Sequence, residues 1–171
     1  MLVLGLDPGL ATTGYGLVSG DGRDLRAISH GVVRTPAHTP ISERLATIHE
    51  EISLLLDEYH PDVAAVEELF FCKNVRTAMM VGEARGVLLL ALAQGGLEVA
   101  EYTPLQIKEG ITGYGGAEKK QVQEMVRILL RLDEVPRPDD AADALAVAIC
   151  HQHAARVSEL LKDSDTTRPG R

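Results

Sequence analysis

Four acidic residues in this chain have neighbours that make them usable for chemistry: Asp7, Glu67, Asp140 and Asp143. Asp7 follows the apolar run Leu2 to Leu6 and precedes Pro8-Gly9, so it stands at the carboxyl end of a would-be buried strand. Glu67 ends a second run, Val63 to Val66, in the same way. Asp140 and Asp143 are three residues apart at a predicted helix start and share one helical face. Asp140 also gains from the helix N-terminus. Simpler roles exist for some of them: Asp7 suits a turn before Pro-Gly, and Asp139 and Asp140 are good helix caps. Asp143, set among Ala141, Ala142, Ala144 and Leu145 in a helix whose small residues imply close packing, is harder to dismiss in this way. Four carboxylates in one place repel unless cations hold them together. An all-oxygen donor set suits Mg²⁺, with Mn²⁺ as a substitute, rather than zinc. Two such ions about 4 Å apart can activate water and stabilise a leaving oxygen in phosphodiester hydrolysis.

The elements that must position these acids can be read from periodicity. Leu2 to Leu6 is a continuous apolar run suited to a central strand. Tyr15 to Ser19 is a second strand, and the turn Ser19-Gly20-Asp21-Gly22 leads to a third over Leu25 to Arg34. Short connections make the three an antiparallel meander. Thr39-Pro40 reads as N-cap and first residue of a helix whose apolar stripe is Ile41, Leu45, Ile48, Ile52, Leu55, Leu56 and Tyr59. Asp62 to Val66 is the fourth strand, Val75 to Gln94 a long helix ending at Gly95-Gly96, and Val99 to Tyr102 a fifth strand. Thr103-Pro104 caps a short helix. The Gly113–Gly116 loop separates it from a helix over Glu118 to Leu132, and a last helix runs from Asp139 to about Leu160. A meander followed by β-α-β-α units is the RNase H-like order: α/β, with a mixed five-stranded sheet of three antiparallel and two parallel strands flanked by helices. Residues 1–160 form this one domain, and 161–171 a polar tail expected to be disordered.

Composition narrows the class. With 171 residues, 45% of them hydrophobic, one ordinary core is expected. The longest apolar run, Val87 to Ala93, is far short of the about 18 residues of a membrane span. No basic leader precedes the first strand, and Cys72 and Cys150 read as isolated reduced thiols, so a cytoplasmic location without membrane contact is expected. The net charge of −8 argues against nucleic acid only as a whole-chain average. Residues 1–66 carry −5, residues 67–131 carry 0 and residues 132–171 carry −3, so the middle is relatively rich in Lys and Arg.

Motifs then bring in a resemblance. Leu4-Gly5-Leu6-Asp7-Pro8-Gly9 with Thr13-Gly14-Tyr15-Gly16 resembles the opening of the bacterial RuvC Holliday-junction resolvases. Ala65-Val66-Glu67-Glu68-Leu69-Phe70 resembles their second acidic motif. Lys73-Asn74 and Gly82-Glu83-Ala84-Arg85-Gly86-Val87 resemble the helix after it. Gly116-Ala117-Glu118-Lys119 with Gln121-Val122 resembles their basic loop. Asp140-Ala141-Ala142-Asp143-Ala144-Leu145-Ala146 resembles their last acidic motif. The likeness runs in order over residues 1–155. It implies a homodimer that grips a four-way DNA junction and nicks two strands symmetrically in recombination and repair, leaving 5′-phosphate and 3′-hydroxyl ends. It implies that Asp7, Glu67, Asp140 and Asp143 are catalytic and bind two metal ions, and that the RuvA and RuvB branch-migration proteins are partners.

The same resemblance makes Phe70 an aromatic that stacks on unpaired bases, although Phe71 beside it leaves the wedge open between the two. Base stacking on such a ring is worth about 1–3 kcal/mol. It also makes Lys108 and Lys119 backbone contacts, and Lys73, Arg76, Arg85 and Lys120 are further DNA-contact candidates; any of these can equally be solvated surface. Ala78, Gly82 and Gly86 recur every four residues, which suits close approach of a second helix in a dimer or packing on the chain's own sheet. His151 and His153 point to different helix faces and read as non-ligands. Two other classes compete: a catalytically silent junction- or RNA-binding module on the same fold, and a sugar-kinase or actin-like ATPase, whose first strand also ends in Asp-x-Gly but which places nucleotide between two such domains.

Overall fold

The computed structural model describes residues 1–68 and 75–166. Strands β1 (Leu2–Asp7), β2 (Thr12–Gly20) and β3 (Leu25–Arg34) are followed by α1 (Ile41–Tyr59), β4 (Val63–Glu67), α2 (Val75–Gln94), β5 (Val99–Tyr102), α3 (Pro104–Thr112), α4 (Lys119–Leu129) and α5 (Asp139–Thr166). The sheet order is β3-β2-β1-β4-β5. β1 pairs antiparallel with β2 and parallel with β4, and β4 pairs parallel with β5. This is the RNase H-like arrangement, with β1 at the centre and its carboxyl end beside that of β4.

Two cores lie on opposite faces of the sheet. Leu4, Leu6, Leu17, Ala64 and Val66 pack against Ile48 and Ile52 of α1 and Leu88 and Leu92 of α2. Val3, Val18, Val63 and Ala65 face α5, α3 and α4. Side chains alternate along a strand. Asp7 therefore shares a face with Val3 and Gly5, and Glu67 shares that face with Val63 and Ala65: it is the α5 face.

Local signals explain most boundaries. At Thr103 a capping box forms, with Thr103 Oγ1 accepting from Gln106 N at 3.2 Å and Gln106 Oε1 accepting from Thr103 N at 2.8 Å. His60 takes a left-handed conformation (φ 46°) and closes α1 before Pro61. Three expectations shift. Pro40 is the N-cap of α1 rather than its first residue, and Ile41 is exposed while Arg44 is buried. The guanidinium of Arg44 finds acceptors at Thr35, which lets it displace an apolar side chain from the stripe. α4 ends at Leu129 rather than Leu132, because the chain reverses through Arg131 (φ 54°) and Leu132 N donates back to Arg127 O at 2.9 Å. α5 continues past Leu160 to Thr166, since no Gly or Pro interrupts it before Pro169. Among the described residues no helix is long and apolar enough to cross a membrane. Cys150 is a free, buried thiol, pushed up to about 11 by burial; Cys72 lies outside the described residues.

Candidate active site

Asp7 and Glu67 end neighbouring parallel strands, with Leu6 in register with Val66 one residue before. α5 crosses the same face and brings Asp140 and Asp143 to them. Three glycines let it come so close. A Cβ at Gly5 would collide with the Ala144 carbonyl, and one at Gly14 with the Asp140 carbonyl. One at Gly16 would lie 2.8 Å from Leu145 N. Gly14 is the β2 partner of Asp7, and Gly16 that of Gly5. The glycines therefore form a seat directly beneath the acidic turn of α5.

The loop leaving Asp7 is fixed from beneath. Thr13 Oγ1 donates to Gly9 O at 2.7 Å. Thr35 N donates to Ala11 O at 3.1 Å, and Thr35 Oγ1 donates to Leu10 O. Buried Arg44 in turn donates through Nε to Thr35 Oγ1 at 2.8 Å.

The acids feel one another. Burial, and after it the charges of Glu67, Asp143 and Asp140, pushes Asp7 up to about 8. Glu67 is also raised by burial, against a hydrogen bond with Asp7 that lowers it. Burial and mutual repulsion therefore favour a protonated form of the Asp7–Glu67 pair. Burial raises Asp143 too, opposed by Lys119, whose Nζ lies 2.7 Å from Asp143 Oδ2 and 3.7 Å from Asp139 Oδ2. Burial pulls Lys119 down, but its bond to Asp143 and the surrounding acids outweigh this and raise it. Glu67, Asp143, Lys108 and Lys119 line one cavity of about 280 Å³, floored by Ile107, Val122 and Ala146. Among the described residues no three Asp, Glu, His or Cys side chains are set as a metal-ligand group. Lys119 is the cation paired within this cluster of acids, through Asp143. The donors are all oxygen and short of positive charge, which fits a hard divalent cation.

The remaining sequence candidates scatter. Lys120 is exposed one residue beyond Lys119 on α4. Arg76 is exposed at the start of α2. Arg85 is half-buried and ion-paired with Glu101. Phe70, Phe71 and Lys73 lie outside the described residues. His151 Nδ1 pairs with Tyr102 Oη at 2.9 Å and His153 Nδ1 with Gly110 O at 2.9 Å. On α2, Ala84, Leu88, Ala91 and Leu92 face the core. Gly86 faces away, with open space where a Cβ would be. Sequence reasoning missed the seat of Gly5, Gly14 and Gly16. Its signal was present: glycines two apart in a strand, matched by Ala144 and Ala148 four apart in a helix.

Residues 3–151 match the family model described as crossover junction endodeoxyribonuclease RuvC. The chain belongs to the RuvC family. A RuvC relative from Thermomicrobium roseum is 54% identical over 160 residues, covering 94% of this chain and 98% of the relative. The RuvC of T. thermophilus, solved in complex with a Holliday junction substrate, superposes with a TM-score of 0.89 at 40% identity, covering 92% of this chain and 96% of that one. The yeast mitochondrial Holliday junction resolvase, 13% identical, shares the fold with a TM-score of 0.66, covering 97% and 86% of the two chains.

Proposed function

We propose that this chain, a crossover junction endodeoxyribonuclease by family, resolves four-way DNA junctions by hydrolysing phosphodiesters at the pocket of Asp7, Glu67, Asp140 and Asp143. The observation that carries the site is convergence: Asp7 and Glu67 end neighbouring parallel strands, the charges of Asp140 and Asp143 reach Asp7, and Lys119 pairs with Asp143 at 2.7 Å, so acids from three distant segments share one electrostatic environment. These four carboxylates would hold Mg²⁺ or Mn²⁺, two ions per site. When bound, such ions activate water and stabilise the leaving oxygen. Cation uptake must expel the proton on Asp7, which makes affinity rise with pH. Lys108 and Lys119 line the same cavity and would attract a phosphate to it. The products carry 5′-phosphate and 3′-hydroxyl ends.

Two equivalent nicks need two equivalent sites, and a twofold homodimer supplies them. The outer face of α2 suits that contact. Val75 is 75% exposed, Met79 63% and Leu90 51%, in line with the open side of Gly86. Phe70 or Phe71, following Glu67 in the chain, would stack on bases opened at the junction centre, and Arg76 and Lys73 would contact its backbone. RuvA and RuvB are the partners this reading carries, and a reducing cytoplasm is its compartment.

The test is a synthetic immobile four-way junction with Mg²⁺ and a linear duplex as control. Paired, symmetry-related nicks are expected in the junction alone. Asp143→Asn should bind the junction and leave it intact. Undiminished cutting by that variant removes the site; binding without cutting by the unmodified chain makes it a silent junction-binding module.

A further inference from the structure

Beside the acid pocket, on the other side of Lys119, lies a second cavity of about 460 Å³ lined by Lys119, Lys120, Gln123, Glu124, Arg137 and Asp139 among others. Its donors and acceptors are unevenly committed. Asp139 is paired with Arg137 at 2.9 Å and with Lys119 at 3.7 Å. Glu124 takes two hydrogen bonds from Arg127, at 3.0 and 2.7 Å. Both acids on the rim are thus neutralised by neighbours. Lys120, in contrast, has no ion-pair or hydrogen-bond partner among the described residues. Gln123 is only 7% exposed, and its Nε2 has no acceptor. A buried amide donor without a partner is costly, and natural folds rarely keep one unless something else supplies the acceptor.

We propose that this cavity binds a second phosphate of the strand being cut, next to the scissile one, through Lys120, Gln123 and Arg137. The inference rests on the preceding reading of the acid pocket and deepens it. Lys119 lines both cavities, so a backbone whose scissile phosphate sits over Glu67 and Asp143 passes Lys119 and enters the second cavity. Lys119, Lys120 and Gln123 lie within the first five residues of α4 and share one side of it at the i, i+3 and i, i+4 spacings. A turn of the Gln123 amide gives its nitrogen a phosphate oxygen, and Lys120 supplies the charge. A phosphodiester offers acceptors only, which matches a donor-rich cavity whose carboxylates are already paired. Contacts of this kind fix the register of the strand over the acids without reading its sequence.

The experiment measures junction affinity against salt, and cleavage, for Lys120→Gln, Gln123→Leu and Gln123→Glu. Gln123→Leu should weaken binding about tenfold while raising the melting temperature, because it deletes the unpartnered amide. Opposite signs separate a lost contact from a damaged fold. Gln123→Glu, equal in shape, should weaken binding more than Gln123→Leu. Lys120→Gln should reduce the slope of log Kd against log salt by about one. Junctions carrying a neutral methylphosphonate at single positions flanking the cleaved bond complete the test. At one position the replacement should weaken the unmodified chain and add little in the variants. Equal effects of every replacement in all proteins, or unmodified affinity of Gln123→Glu, overturn the subsite. If the unmodified chain does not cut the junction at all, it is the acid-pocket reading that fails.

Discussion

The two faces of the sheet are held by different physics. On the α1 and α2 face, Leu4, Leu6, Leu17, Ile48, Leu88 and Leu92 fill space with branched side chains. Such a core tolerates small shifts of its helices, because its stability comes from the apolar area it removes from water. On the α5 face, Gly5, Gly14 and Gly16 bring strand backbone against helix backbone. Nothing soft lies between Gly14 and the turn that carries Asp140. The difference teaches where placement matters: the acids sit on the face whose geometry is set by backbone contact, and the face opposite supplies stability. Gln152 reinforces the stiff side, its Nε2 donating to Met1 O at 2.9 Å and to Val18 O at 3.1 Å.

Adding a side chain to the seat should have the largest effect. Gly14→Val drives α5 off the sheet at Asp140, and a misplacement of about 1 Å at reacting groups costs on the order of 100-fold in rate. Single-turnover cleavage should fall at least that far while junction binding persists; a variant that cuts at the normal rate would show that the seat does not position the acids. The counterpart on the other face is Leu88→Ala. Denaturant unfolding should show a loss of about 2–5 kcal/mol, with the cleavage rate of the folded molecules unchanged. A slowed rate in fully folded protein would mean that the two faces are not separable.

A smaller effect distinguishes the acids from the core around them. Asp7 is pushed up to about 8 in the fold, chiefly by burial, against an ordinary value of 3.8 in the unfolded chain. The fold therefore binds the extra proton, and stability drains away as pH rises from about 4 to about 8. Asp7→Asn should abolish that part of the decline and melt at a higher temperature near neutral pH in the presence of a chelator. Parallel melting curves for the two proteins across this range would contradict the shared-proton pocket. Divalent cation should stabilise the unmodified chain more than the variant.

Much of the design was legible in the sequence. Strand ends, caps and helix spacing depend on local chemistry, so the element order, the Thr103 cap and the four acids could be read from neighbours in the chain. Boundaries shifted where a distant partner decided them: Arg44 replaced an apolar residue in the α1 stripe because Thr35 accepts its hydrogen bonds. Gln123 gave no signal, because an amide at one position of an amphipathic helix looks the same whether or not it finds an acceptor.

By itself the sequence determined that Asp7 and Glu67 end strands, and that Asp140 and Asp143 share a helical face. Only the tertiary structure decided which side of the sheet they occupy. A continuous apolar strand such as Leu2 to Leu6 is buried on both faces, so its composition carries no phase. The phase is set by packing: glycine backbone admits α5 on one side, and leucine side chains demand α1 and α2 on the other.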